Sequence, residues 1–291
     1  MLRQASRIIG IVVAVVALWL VAQRDDLAAV LGLAALSGVG VALATMRRIS
    51  TAVLAAAAAI VAAITFAAVV LIGGSSPTVA WFGGGTTHGP VSGSEVALTF
   101  DDGPNAATTL AVAAVLDRAG VRGTFFEVGK AVDANPGITR ALIAEGHLVA
   151  NHSYAHDQWR WLDPRYPELQ RAEQAFRRAG VPCPAFFRPP HGQRTPFMAR
   201  VVDHDRMQMV LWNDSASDWS TTDAHLVAER VLRKVRPGSI VLLHDGLDGR
   251  PSVDRSVVTR ALPEILAGLR ARGLHAVRLD VLLGERPYLP C

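Results

Sequence analysis

Cysteine is scarce, with two residues in 291, Cys183 and Cys291. In an extracytoplasmic domain they could form a bridge that ties down the C-terminal tail, but their positions in sequence leave this open. No internal repeat is present beyond an alternation of strand-like and helix-like segments. A basic patch interleaved with aromatic residues is also missing, although the chain has a formal net charge of +4 and a sequence pI of about 9.6. Residues 1–72 hold five arginines and two aspartates, a net of +3 out of +4, which leaves about +1 for the remainder. The excess is therefore topogenic, and a nucleic-acid partner is excluded. The glutamate of the zincin protease signature is absent as well, because Ser153 stands where that motif requires it.

Polar residues are nearly missing from the first seventy positions, which hold apolar runs over 8–21, 27–46 and 51–72. The last two are long enough to cross about 30 Å of hydrocarbon, and the first reaches that length through its flanks. So few polar groups exclude a transport path. Arg3 and Arg7 precede the first run and Arg47 and Arg48 lie between the second and third, whereas the turn at Arg24-Asp25-Asp26 has a single arginine. Positive-inside placement then predicts about three transmembrane helices within 1–72, a cytoplasmic N-terminus and an extracytoplasmic C-terminal domain. A cleaved signal peptide competes for the first run, and either reading exports that domain. Residues 73–93, rich in glycine, serine and threonine with Trp81-Phe82 among them, read as a flexible linker with a reach on the order of 25 Å.

The chemistry concentrates in two strings, Thr99-Phe100-Asp101-Asp102-Gly103-Pro104 and His152-Ser153-Tyr154-Ala155-His156. Histidines at i and i+4 share one face of a helical turn and are expected there to hold one divalent ion. One of the two aspartates supplies a third ligand and the other is free to take a proton from water. Such a donor set suits zinc first, with cobalt, nickel and iron also possible. Alone, each string has a blander reading, a structural His-x-x-x-His and an ordinary turn.

With Arg188-Pro189-Pro190-His191-Gly192, Asp214-Ser215-Ala216-Ser217-Asp218-Trp219 and Leu242-Leu243-His244-Asp245, the chain resembles the polysaccharide deacetylase family, the NodB-like carbohydrate esterases, over about 91–280. The resemblance implies Asp101 as catalytic base, Asp102, His152 and His156 as metal ligands, and Arg188 as the residue that orients Asp101. It implies His244 as general acid with Asp218 as its carboxylate partner, and Trp219 and Leu242 as walls of the acetyl pocket. His191 replaces the tyrosine of many relatives; its main-chain N–H is assigned to the oxyanion, so the change is expected to alter substrate contacts more than chemistry. Asp245 is either a partner behind the site or a turn residue before Gly246. His88, His147, His204, His225 and His275 carry no motif and read as solvated or locally bonded. Trp159, Trp161 and Trp212 read as packing, with a groove contact open for the first two.

Strand patterns over 96–100, 124–128, 147–151, 185–188, 207–212, 239–244 and 274–279 alternate with helical patterns over 106–119, 136–145, 164–179, 222–235 and 253–272. Repeated strand–helix units predict a parallel sheet with its chemistry at the strand C-terminal ends. This agrees with the distorted (β/α)7 barrel that the resemblance implies, here over 94–285. The expected function is a membrane-anchored, metal-dependent N-deacetylase acting on an acetylated glycan of the cell envelope, such as peptidoglycan or a chitin-like polymer. An O-acetyl esterase on acetylated xylan, a non-catalytic glycan-binding module, and a lipid- or partner-binding role for the helical region are the alternatives. The complete set of motif residues argues against the non-catalytic module.

Overall fold

The structure, a computed structural model, describes residues 50–76, 82 and 84–290. The chain divides between Leu71 and Ile72 into two units. Helix α1, Thr51–Ser75, contains Ala55–Gly74, 20 residues with a mean hydropathy of 2.7. At 1.5 Å per residue this stretch reaches about 30 Å. Among the described residues it is the one helix long and apolar enough to cross a membrane. The runs over 8–21 and 27–46 lie outside the described residues.

The second unit is a parallel-strand α/β half-barrel. Its strands are β1 (Glu95–Asp101), β2 (Thr124–Glu127), β3 (Leu148–Asn151), β5 (Phe186–Phe187), β6 (Gln208–Met209), β7 (Asp214–Ser215), β8 (Ile240–His244) and β9 (His275–Val277). They run in the order β6-β5-β3-β2-β1-β8-β7, with β9 beside the first half of β1. Every pairing in this sheet is parallel. The two edge strands, β6 and β7, are separated by four residues of one extended stretch, which pairs with β5 at one end and β8 at the other. The strand expected over 207–212 shrinks to β6, and β7 lies beyond it. Within the segment read as a linker, Thr86 bridges Val210 and His88 bridges Ser239, so these residues join the edge near β6 to the start of β8.

Period-two alternation along β1 divides the core. Val96, Leu98 and Phe100 pack outward with Phe125, Val241 and Leu243 against Leu116, Phe176 and Leu262 of the covering helices. Full burial of such side chains contributes about 1.5–3 kcal/mol each. Ala97 faces the interior with Phe126, Ala150, Phe186 and Ile240. The same alternation turns Thr99 and Asp101 inward.

The covering helices are α2 (Thr109–Arg118), α3 (Gly129–Ala134), α4 (Pro136–Ala144), α5 (Glu168–Ala179), α6 (Pro196–His204), α7 (Ala224–Lys234), α8 (Ser256–Ala271) and α9 (Leu279–Leu283). Asp223 caps α7 by accepting from the N–H groups of His225 and Leu226. The short α3, α6 and α9 were not legible in the hydrophobic pattern. A two-stranded antiparallel ribbon, β4 (Cys183–Pro184) with β10 (Tyr288–Leu289), lies apart from the main sheet. Cys183 is disulfide-bonded, and the chain's other cysteine, Cys291, lies outside the described residues.

Candidate active site

Asp101 ends β1, and Asp102 follows with a left-handed φ of 77°. This turn brings two consecutive carboxylates toward the same end of the half-barrel. Glycine is needed on both sides of it: a Cβ on Gly103 would collide with the Asp245 carboxylate, and one on Gly246 with the main-chain carbonyl of Asp102.

His152 and His156 do not sit on a helical turn, contrary to the sequence expectation. They lie in the loop after β3, where Ser153 and His156 take positive φ values of 66° and 53°. The loop is held by the N–H of Ser153 on Asn151 Oδ1, and by the N–H of His156 on Ser153 Oγ. The two rings converge by backbone reversal instead of helical periodicity. His156 Nε2 lies 3.0 Å and His152 Nε2 3.4 Å from Asp102 Oδ1. His152 Nε2 is also 3.6 Å from Asp101 Oδ2.

His152 Nδ1 bonds the main-chain oxygen of Arg188 at 2.7 Å. A carbonyl only accepts, so Nδ1 carries the proton and the Nε2 lone pair is left for the site. Burial alone would raise the Asp102 carboxyl, but the His156 charge and the close approach of both imidazoles hold it well below the usual carboxylate range. Burial lowers His156, and the neighbouring Asp102 more than compensates, so its proton affinity rises. The three donor atoms of Asp102, His152 and His156 lie within 4.8 Å of one another. Asp102 Oδ1 is buried with no hydrogen-bond partner, which fits an acceptor kept for a cation.

Arg188 is fully buried. Its Nη1 donates to Asp101 Oδ1 at 2.7 Å and to Thr99 Oγ1 at 2.8 Å, while Nη2 donates to the Leu211 carbonyl at 2.9 Å. The guanidinium lies 4.0 Å from the centre of the Phe126 ring, an arrangement that favours arginine over lysine. On the opposite side, His244 Nδ1 meets Asp218 Oδ1 at 2.9 Å. Asp218 Oδ2 accepts from Arg255 Nη2 at 2.5 Å and from the His244 N–H at 3.1 Å. Burial pulls His244 down, yet the charge and hydrogen bond of Asp218 lift it to about 9.

The remaining predicted residues surround this core unevenly. The His191 ring packs edge-on against His156 at 4.7 Å, from a turn with φ 55°. Burial and the adjacent His156 charge both lower its proton affinity. Trp219 sets its ring edge-on to His244 at 5.1 Å but is half exposed. Leu242 is buried on β8, two residues before His244 and so on the same strand face. Asp245 is a buried partner behind the site: Thr109 Oγ1 donates to it, and burial pushes its carboxyl up to about 7. Trp161 is buried and Trp159 exposed.

A family model described as polysaccharide deacetylase matches residues 88–210. A chitooligosaccharide deacetylase of a Bradyrhizobium species is 36% identical over 198 residues, covering 65% of this chain and 90% of that protein. The chain belongs to the polysaccharide deacetylase family. A peptidoglycan-N-acetylglucosamine deacetylase of Listeria monocytogenes is 31% identical over 194 residues. The alignment covers 66% of this chain but only 39% of that longer relative. A solved peptidoglycan N-acetylglucosamine deacetylase superposes with a TM-score of 0.65 at 26% identity, over 70% of this chain and 94% of the other.

Two residues of this polysaccharide deacetylase site have no motif that marks them. Arg255 closes an Arg–Asp–His line from behind. Asp248 donates its N–H to Asp102 Oδ2 at 3.0 Å and sets its carboxylate 3.4 Å from His156 Nδ1. The one sequence signal for Asp248 was its nearness to Leu242-Leu243-His244-Asp245.

Proposed function

We propose that this protein is a membrane-anchored, metal-dependent N-deacetylase that hydrolyses acetamido groups of N-acetylglucosamine-type residues in a cell-envelope glycan such as peptidoglycan. The observation that carries this reading is the convergence of Asp101, held by Arg188, and His244, held by Asp218, on the Asp102–His152–His156 cluster. Two imidazoles and one carboxylate fit a divalent ion that keeps positions open for reactants. When bound, such an ion supplies a Lewis acid that acidifies water and polarises the amide carbonyl.

The protein's own groups then have distinct tasks. Asp101 takes the proton of the attacking water, while the buried Arg188 fixes the carboxylate's direction. The main-chain N–H of His191 donates to the oxygen that becomes negative in the transition state. His244, charged through Asp218, gives the Nε2 proton to the departing nitrogen. An amine needs that proton more than an ester alkoxide does, which favours amide over ester hydrolysis. Trp219 and Leu242 enclose the acetyl methyl. Relatives named for peptidoglycan N-acetylglucosamine and for chitooligosaccharides favour an N-acetylglucosamine polymer as substrate.

Membrane anchoring is supported by the apolar stretch Ala55–Gly74 and by the arginine distribution around the earlier runs. Reporters fused after Arg48 should behave as cytoplasmic and those after Gly74 as exported. A cytoplasmic reporter after Gly74 would overturn the envelope substrate. The activity itself is tested on the full chain by acetate release from peptidoglycan, chitooligosaccharide and acetylxylan, with metal content measured on the same preparation. Release from the two N-acetylated glycans ahead of acetylxylan is the expected result. Release from acetylxylan alone would replace the deacetylase reading by the esterase.

A further inference from the structure

The apolar stretch Ala55–Gly74 ends inside the second unit, which begins at Ile72. Gly73 and Gly74 are buried there. The N–H of Arg194 donates to the Gly74 carbonyl at 2.7 Å, and Arg194 Nη2 donates to the Ser76 carbonyl at 2.8 Å. A Cβ on Gly74 would come within 2.8 Å of the Trp161 ring, so glycine lets the chain lie directly on that indole. A stretch that crosses about 30 Å of hydrocarbon ends at the headgroups. Residues of the second unit that pack on Gly74 are then level with the membrane surface.

The two segments that meet Gly74 hold three large apolar side chains out in solvent: Trp159 is 67% exposed, Leu162 51% and Phe197 48%. Trp159 and Leu162 stand at i and i+3 of a 3₁₀ turn, closed by the Leu162 N–H on the Trp159 carbonyl at 3.1 Å. Side chains at that spacing eclipse on one side of the turn. Trp161, between them, is buried. Phe197 lies in the first turn of α6, two residues past Thr195, whose Oγ1 donates to the Trp161 carbonyl at 3.4 Å.

We propose that Trp159, Leu162 and Phe197 form a bilayer-contact surface that seats the catalytic unit on the membrane from which the chain emerges. The proposal rests on the membrane-anchored reading above. Tryptophan, leucine and phenylalanine are the side chains that enter the boundary between headgroups and acyl chains. Arg160 and Arg200, exposed beside them, can lay their stems on that boundary and turn their charges to headgroup phosphates. Asp157 Oδ1 accepts from the N–H groups of Trp159 and Arg160 at 2.8 and 3.1 Å, so the turn is shaped before it meets lipid. The place of the patch, at the end of a bilayer-length apolar stretch, favours lipid over a protein partner. Trp159 is three residues from His156, so the contact keeps that metal-site histidine within about 11 Å of an interfacial residue.

The test uses the full chain reconstituted in phosphatidylcholine vesicles, with and without bromine on the upper acyl carbons. Bromine there quenches tryptophan at the depth of an interfacial side chain, about 5–10 Å into the boundary. The emission that Trp159→Phe removes should be lost from the parent chain in brominated vesicles, whereas the emission that Trp219→Phe removes should be retained. Trp159→Phe combined with Phe197→Trp moves the indole to the neighbouring position and should restore a quenched signal. An unquenched Trp159 in a chain that stays with the vesicles through an alkaline wash, or equal quenching of Trp219, overturns the surface and leaves the anchoring in place. A chain stripped from the vesicles by the wash overturns both.

Discussion

Asp218 holds His244 through both the side chain and the main chain: one carboxylate oxygen meets Nδ1 at 2.9 Å and the other accepts the His244 N–H at 3.1 Å. The imidazole is thereby fixed in direction and in charge. Its tautomer follows too, since a carboxylate at Nδ1 leaves the Nε2 proton to be given away.

A pH profile reads this pair directly. His244 acts as an acid only while protonated, and with Asp218 ionised it keeps its proton up to about pH 9. Activity should therefore be lost as pH rises through that value. In Asp218→Asn the raising charge is gone while burial still lowers the ring, so the alkaline limb of kcat/KM should move down by about one to two pH units. A limb that stays where it is would separate Asp218 from the proton donor.

Arg255 is the hidden member of this line. Arg255→Met leaves Asp218 buried with one charged partner instead of two, a change that costs on the order of 3 kcal/mol when a buried pair is broken. For a domain of this size that is a fall in melting temperature of about 6–12 °C. Thermal melts of the purified chain check it. Arg255→Lys should recover part of the loss, and an unchanged melting temperature for the methionine variant would mean that the pair contributes nothing.

The two neighbouring aspartates are separable by metal analysis. Asp102→Ala removes the carboxylate between both imidazoles and should lose metal and activity together. Asp101→Asn keeps shape and should keep metal, yet lose nearly all turnover because an amide cannot accept the water proton. A metal-free Asp101→Asn protein, or a fully metallated Asp102→Ala one, reverses the assignment.

Much of this architecture is legible in the linear chain because the side chains that converge sit in short strings at the ends of strands. Asp101, Arg188 and His244 each follow an apolar run, and a parallel sheet collects such ends on one side. The i, i+4 spacing of His152 and His156 points to a helix where the structure has a loop, because spacing alone does not reveal the positive φ of Ser153 and His156. Arg255 and Asp248 were invisible for a different reason. They reach the site from the segment after β8, Arg255 at the start of the helical pattern over 253–272, where no motif marks them, and their role exists only through distant partners. The strands β6 and β7 are two residues each, too short for alternation to show, and β7 is the polar pair Asp214–Ser215 beyond the apolar run.

The entry of the chain into the sheet has a mechanical consequence. Thr86 donates to Met209 and accepts from Leu211, and Gly89 donates to Gly238. Tension drawn along this segment is shared by several bonds loaded in shear, instead of opening them one at a time. The segment over 84–89 is thereby held as a stave of the half-barrel, which resists a pull that would unzip a simple swivel.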